Sequence, residues 1–299
     1  MRMFRRLALG ASVLALALSA CATGGSGATI KIGSDGFDEA KVVAEIYAQA
    51  LEAKGFTVDR AGIGLGKRAV TKAALESGQI DLKPEYIGSG LVAYGGASSN
   101  SSETNRTGLQ EKLAPLKITV LNFMPGQDTN AFVVRKETAD ALHLTKMSDL
   151  TAVQDQLKWA LATDCPTNPL CAGALKSAYG IDQPDATLLD ACSGPMADAL
   201  LKKTVDIAEL CSTGPEIITN GWVVLQDDKQ TQPADNIAPI VRDDLLAKVD
   251  KQKFIDTLNA VSAKIDTATL AQLYYDVAIN HKDLTEVAKA WLKANGFVS

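Results

Sequence analysis

Residues 73–90 read Ala-Ala-Leu-Glu-Ser-Gly-Gln-Ile-Asp-Leu-Lys-Pro-Glu-Tyr-Ile-Gly-Ser-Gly and indicate a helix end, a strand and a turn in quick succession. The helix end Ala73–Ser77 runs through Gly78 into a short apolar strand, which stops at Pro84-Glu85-Tyr86. Tyr86 and the glycine-flanked Ser89 therefore lie just past the carboxyl end of a strand. Open α/β sheets bind ligands at such ends. The segment predicts a ligand site.

The same segment is similar to one in a known family. Residues 84–89, Pro-Glu-Tyr-Ile-Gly-Ser, resemble the Pro-Glu-Tyr-Thr-Gly-Thr segment of substrate-binding proteins from osmoprotectant (glycine betaine/choline-type) ABC importers. In that family the segment supplies a ligand-contacting tyrosine and a hydroxyl group. The resemblance covers residues 29–298, and it is clearest at residues 32–34 with Phe37, 73–90, 225–229 and 286–292. It implies a monomer that captures a small solute and delivers it to a permease with ATPase subunits.

The amino terminus predicts export and a lipid anchor. Arg2, Arg5 and Arg6 precede an apolar run from Leu7 to Leu18, which is too short to span a membrane but suits a signal peptide. Residues 18–21, Leu-Ser-Ala-Cys, resemble a bacterial lipobox. We therefore expect a lipoprotein signal peptide at 1–20, a tether at 21–28 lipidated on Cys21, and a location outside the cytoplasm. The alternative is an ordinary secretory signal in which Cys21 is incidental.

Composition and charge exclude several classes of protein. The chain has 299 residues, 46% hydrophobic and 22% charged, which describes a globular protein long enough for two lobes. The net charge of −5 and the lack of a basic patch argue against nucleic-acid binding.

Strand and helix patterns alternate along most of the chain, which predicts α/β layers. We expect the two-lobed periplasmic-binding-protein fold (type II), in which each lobe is a mostly parallel sheet flanked by helices. Lobe 1 is expected to be discontinuous, with residues 29–130 and 236–299, and lobe 2 to comprise residues 131–235. The last 60 residues read as helices that close on Gly296 as a cap.

Cysteine usage is consistent with export. Beyond Cys21 there are four cysteines: Cys165, Cys171, Cys192 and Cys211. An even number outside the cytoplasm predicts two disulfides, of which three connectivities are possible. Four thiolates can instead bind zinc, but the spacings contain no C-x₂-C pair, and we expect no metal site.

The resemblance implies a ligand site with nine residues. Carried over by position, these are Asp35, Phe37, Tyr86, Ser89, Asp128, Asn130, Asn168, Cys211 and Asp235. Several depart from the family. Asn130, Cys211 and Ala234 stand where the family has tyrosines, Asp35 replaces a lysine, and Asn168 lies near where some members place an arginine.

The ligand stays open at this point. Family resemblance favours a quaternary ammonium held by cation–π attraction. The acidic and amide-rich residues instead favour another cationic or hydroxyl-rich solute. Some of the acids, such as Asp38 and Asp235, can also serve only as helix caps.

Catalysis is not expected. His143 and His281 are the only histidines, both in predicted surface segments, and the chain has no G-x-S-x-G, H-E-x-x-H or P-loop motif. The pair Asp227-Asp228 reads as a solvated turn. We expect neither an enzyme nor a cofactor. A ligand-sensing lipoprotein without a transport role is the rival, and a gene neighbourhood with a receptor or kinase would favour it.

Overall fold

Residues 28–183, 185–190 and 193–299 are described by the computed structural model of this protein. Its strands are β1 (Ile30–Asp35), β2 (Val58–Gly66), β3 (Leu82–Tyr86), β4 (Ile118–Val120), β5 (Asn130–Val134), β6 (Trp159–Ala162), β7 (Thr187–Leu189), β8 (Ile207–Cys211), β9 (Val223–Val224) and β10 (Ile237–Arg242). The predicted signal peptide, most of the tether with Cys21, and Cys192 lie outside the described residues.

Eleven α-helices are found in the described ranges. They are α1 (Asp38–Ala53), α2 (Arg68–Ser77), α3 (Ile87–Ala93), α4 (Ser102–Leu113), α5 (Lys136–Leu142), α6 (Gly194–Leu201), α7 (Pro215–Asn220), α8 (Asp243–Leu246), α9 (Lys251–Ser262), α10 (Thr267–Ala278) and α11 (Leu284–Ala294). Short 3₁₀ helices occupy Ala114–Leu116, Met147–Ala152, Gln154–Gln156 and Cys165–Thr167, and π-helical turns occupy Pro169–Gly173 and Leu175–Tyr179. Within the described part of the chain, no helix has the length and apolar character needed to cross a membrane.

Two five-stranded sheets form the two lobes. The first has the order β2-β1-β3-β10-β4 and the second the order β7-β6-β8-β5-β9. In the first, β1 runs parallel to β2 and β3, while β10 is antiparallel to β3 and β4. In the second, β6 runs parallel to β7 and β8, while β5 is antiparallel to β8 and β9. The two-lobed α/β fold is confirmed.

Four of the five strands in each sheet run in the same direction, which confirms the expectation of mostly parallel sheets. Each sheet contains two parallel and two antiparallel pairings. The antiparallel pairings all involve β5 or β10, the strands that follow the two crossings between sheets. A strand that enters from the other lobe can pair antiparallel without the crossover helix that a parallel neighbour requires.

Helix α1 organises the core of the first lobe. Its apolar residues Val42, Val43, Ile46 and Leu51 are fully buried against β1 and the carboxyl-terminal helices α9 to α11. Burying each such side chain contributes roughly 1.5–3 kcal/mol. The buried Tyr47 hydroxyl lies 2.8 Å from Ser262 Oγ, so its polar atom is satisfied.

The two chain segments that join the sheets lie side by side. Gln127 and Asn236 form an isolated antiparallel bridge, and the Asp128 amide donates to the Asp235 carbonyl at 3.3 Å. The Asn236 side chain donates to the carbonyls of Met124 and Pro125 at 3.0 and 3.1 Å. This paired connection leaves a cleft between the lobes.

The cysteines brace the second lobe. Cys165 and Cys171 form a disulfide with a sequence separation of six, and Cys211 is disulfide-bonded as well. Cys165, Cys171 and Glu209 lie close enough to one another to hold a metal ion. Because the sulfur atoms of Cys165 and Cys171 are bonded to each other in the disulfide, they are not thiolate ligands for zinc.

Candidate ligand-binding site

A cavity of about 560 Å³ opens between the two sheets, at the carboxyl ends of β3 and β8. Both lobes and both connecting segments contribute side chains to it. They are Phe37, Arg68, Tyr86, Ser89, Val92, Ala93, Ser98, Asp128, Thr129, Asn130, Asn168, Cys211, Gln232, Pro233 and Asp235.

Eight of the nine residues expected at the ligand site line this cavity. They are Phe37, Tyr86, Ser89, Asp128, Asn130, Asn168, Cys211 and Asp235. Asp35 is the exception. It is 4% exposed at the end of β1, and its carboxylate accepts hydrogen bonds from Thr71 Oγ1 at 2.5 Å and Lys83 Nζ at 3.0 Å. Because α2 and β3 supply these partners, the carboxylate is turned into the lobe and away from the ligand space.

Beneath the cavity wall, charges alternate along a row of four side chains. Lys83 is fully buried and lies 3.0 Å from both Asp35 and Glu85, and Arg68 Nε donates to Glu85 at 3.0 Å. Asp35, Lys83, Glu85 and Arg68 therefore form a balanced row. Arg68 is the only one of the four that lines the cavity.

Tyr86 lies at the back of the cavity. It is 4% exposed, and its hydroxyl donates to Glu39 Oε1 at 2.5 Å, which fixes the ring. The ring of Phe37, which is 43% exposed, tilts against it with a centroid distance of 5.7 Å and an interplanar angle of 39°. These two are the aromatic side chains among the lining residues.

Acidic groups surround Tyr86. Burial, followed by the charge of Asp128, raises the pKa of Glu39 to about 8, and burial also raises the pKa of Asp128. Glu39 is 1% exposed, and its Oε2 has no hydrogen-bond partner among the described residues. Asp128 accepts weakly from the Thr213 amide at 3.3 Å and Ser212 Oγ at 3.4 Å. The carboxyl groups at this end of the site therefore retain hydrogen-bond acceptor capacity that the described residues do not fill.

Asp235 holds the start of α3. Its Oδ1 accepts from the amides of Gly88 and Ser89 at 2.7 and 3.0 Å, and its Oδ2 accepts from Ser89 Oγ. The side chain therefore caps the helix, as one sequence-based alternative proposed, and it also lines the cavity. Burial raises its pKa to about 6. A Cβ at Gly88 would lie 2.7 Å from the Ala234 carbonyl oxygen, so a larger residue would push the connecting segment away.

The second lobe contributes a polar wall. Asn130 and Cys211 are directly paired across β5 and β8. Asn168 follows the 3₁₀ turn inside the Cys165–Cys171 loop, and its side-chain Nδ2 donates to Asp164 Oδ2 at 3.1 Å. The disulfide thus restrains the short loop that presents Asn168 to the cavity.

Sequence reasoning missed Arg68 and Glu39. Arg68 begins α2 directly after the glycine-rich end of β2, and the basic pair Lys67-Arg68 was the available signal. Glu39 lies in the first turn of α1, where an acidic residue is common because it interacts favourably with the helix dipole, so the sequence contained no signal for a site. Arg68 lines the cavity, whereas Glu39 lies behind it and bonds the Tyr86 hydroxyl. The lining groups make a cavity that can hold a small polar molecule carrying positive charge.

Replacing Glu39 with Gln tests its raised pKa through stability. The folded chain binds a proton on Glu39 between the ordinary value of 4.5 and about 8, so the native free energy of unfolding falls as pH rises through that window. The Glu39→Gln variant lacks this loss. Its stability relative to the native sequence should rise between pH 5 and pH 8 by on the order of 1 kcal/mol or more, measured by urea unfolding. The exposed Glu111→Gln is the control, and equal trends in both variants would contradict the assignment.

The sequence of this chain is similar to those of known substrate-binding proteins. Residues 28–294 match the family described as the substrate-binding domain of ABC-type glycine betaine transport systems. The chain is 28% identical over 282 residues to the glycine betaine-binding protein YehZ of Escherichia coli, covering 90% of this chain and 91% of that protein. It is 26% identical over 294 residues to the carnitine transport binding protein OpuCC of Listeria monocytogenes, covering 94% and 93%.

Solved structures agree on the fold. Apo YehZ from Escherichia coli superposes with a TM-score of 0.78 at 26% identity, covering 90% of this chain and 99% of that one. A glycine betaine/carnitine/choline ABC transporter structure superposes with a TM-score of 0.80 at 24% identity and the same coverage. Proteins of this family bind small solutes outside the cytoplasm and deliver them to an ABC permease. The chain belongs to the family of substrate-binding domains of ABC-type glycine betaine transport systems.

Proposed function

We propose that this protein is a solute-binding lipoprotein that captures a small quaternary-ammonium or betaine-type osmoprotectant for an ABC importer. The observation that carries the proposal is the cavity between the lobes, in which the aromatic ring of Tyr86 and the carboxylate of Asp128 face the same space. Both groups stabilise a cation, one through its ring face and the other through its charge.

The energetics of the site support a moderate affinity. Each well-placed ring contributes roughly 0.5–2 kcal/mol to holding a cation, and the cavity offers Phe37 and Tyr86. Asp128 adds an acidic group in a partly desolvated space, where attraction between its charged form and a cation is stronger than in water.

A second candidate is the same importer role for a different polar or cationic solute. Asn130 and Cys211 line the cavity and Ala234 is buried beside it, each where the family resemblance implies a tyrosine. Amide and carboxylate oxygens accept hydrogen bonds, which a quaternary ammonium cannot donate, whereas a primary amine or a hydroxyl can.

A ligand screen with Tyr86 variants tests the proposal. Glycine betaine, choline or carnitine at 100 times its Kd should stabilise the mature protein by about 2.7 kcal/mol in a thermal-shift measurement. Tyr86→Ala should then raise the Kd by about 2- to 30-fold in calorimetry, because a cation–π contact is lost. Tyr86→Phe should have a smaller effect because the ring stays.

Tyr275→Ala serves as the control, since this half-buried tyrosine of α10 does not line the cavity. If none of the quaternary-ammonium solutes shifts the melting curve while another polar amine does, the second candidate replaces the first. An unchanged affinity in Tyr86→Ala would remove Tyr86 from the site.

The proposed mechanism is closure of two lobes on the ligand. We assign residues 29–130 and 236–299 to lobe 1 and residues 131–235 to lobe 2. The strands of each sheet support this division, except that β5 of the second sheet begins at Asn130. The hinge would be the paired connecting segments near Gln127 and Asn236. Closure would bring Asn168 and Cys211 towards Tyr86 and Ser89, so the ligand loses contact with water.

Small-angle scattering tests the closure. Saturation with a tightly bound ligand should lower the radius of gyration of the purified mature protein, because the cleft narrows. The ligand-free protein and a sample with a solute that fails the thermal screen are the references. Identical profiles with and without the tight ligand would count against closure.

The proposed location and partners follow from the amino terminus. We propose that Cys21 carries the lipid and that the tethered monomer docks on a permease with ATPase subunits. Cys21→Ser should move the protein from the membrane fraction to the soluble exported fraction, because the lipid cannot be attached. A control such as Ser26→Cys in the same variant should not restore anchoring, since it lies outside the lipobox. Membrane retention of Cys21→Ser would refute the anchor.

An adjacent receptor or kinase gene, with no permease gene, would favour the sensor role.

A further inference from the structure

We infer that Arg68 binds a carboxylate on the ligand, so that the site selects betaines, which carry both charges, over choline-like cations. The inference rests on the proposed function and names the ligand class more narrowly. Arg68 lies at the first position of α2 and reaches the cavity wall with 30% of its side chain exposed.

The guanidinium group of Arg68 has donors to spare. Its Nε donates to Glu85 Oε1 at 3.0 Å, while Nη1 and Nη2 have no acceptor in the described part of the chain. A guanidinium presents its N–H groups in a planar fork that matches the two oxygens of a carboxylate. The free edge of Arg68 can therefore receive such a group from the cavity.

The charges behind Arg68 favour this arrangement. Glu85 is shared between Arg68 and the buried Lys83, and Lys83 is also paired with Asp35. These two basic and two acidic side chains balance, and the row ends on a cation where it meets the cavity. A ligand carboxylate bound to Arg68 would add a further negative charge to this row of alternating charges.

Asp235 is the acidic group that could oppose a ligand carboxylate. Its oxygens accept two backbone amides and the Ser89 hydroxyl at the start of α3, so its charge is directed into that helix. The unsatisfied acidic groups lie elsewhere. Asp128 and the unpartnered Glu39 Oε2 surround the Tyr86 hydroxyl. The cavity thus has a cationic wall at Arg68 and, at Tyr86, an aromatic wall with the Asp128 carboxyl group beside it, which complements a zwitterion.

Calorimetry with glycine betaine and choline tests the inference, because the two share a headgroup and differ in the carboxylate. Arg68→Met should weaken glycine betaine binding by about tenfold or more and choline binding by less than about threefold, since a charged hydrogen-bonded contact is lost for one ligand only. Arg68→Lys should restore part of the glycine betaine affinity. Lys72→Met removes the same charge from the same helix at a residue outside the cavity lining, and should change neither affinity.

The melting curve of each ligand-free variant shows whether the fold is kept, and Arg68→Lys retains the partner of Glu85 if Arg68→Met unfolds. Equal losses for both ligands, no loss for either, or choline binding without glycine betaine binding in the native protein would overturn the role of Arg68 and leave the proposed function in place. Binding of neither ligand to the native protein would overturn the proposed function, and the role of Arg68 with it.

Discussion

The site depends on the buried ion pairs that the ammonium group of Lys83 forms with Asp35 and Glu85. This group is completely buried and lies 3.0 Å from Asp35, Glu85 and the Thr71 hydroxyl. Breaking a buried ion pair by removing one partner costs about 3–5 kcal/mol, because the remaining charge has no compensation. The interaction joins β1, β3 and α2 at the strand ends where Phe37, Tyr86 and Arg68 enter the cavity. The buried cation thus helps to hold these three cavity-lining side chains in position.

The opposite half of the cavity is held differently. The Cys165–Cys171 disulfide restrains the loop of Asn168, and the pairing of β5 with β8 places Asn130 beside Cys211. The connecting segments touch lobe 1 through Asp235, whose side chain caps α3. Two internally rigid walls joined by a narrow connection suit a protein that binds by closing.

Local patterns predicted more of the fold than of the chemistry. The helix end expected before Gly78 lies at Ser77, because a glycine in the left-handed region, here at φ 78°, is a local signal. The mostly parallel sheets were predicted correctly, but the reversed directions of β5 and β10 were not, since these strands pair with strands more than 70 residues away. Asp35 was misplaced because its partners Thr71 and Lys83 are remote in sequence.

The sequence by itself determined the α/β class, the strand that ends at Tyr86 and the family to which residues 84–89 point, because each depends on short-range spacing and composition. Tertiary structure alone decided which charged side chains line the cavity. The carboxylates of Asp35 and Glu85 are paired with the buried Lys83. Arg68 donates to Glu85 through Nε and lines the cavity, and Glu39 of α1 accepts from the Tyr86 hydroxyl. Electrostatic roles depend on distance and burial, and these are settled only when separate segments of the chain pack together.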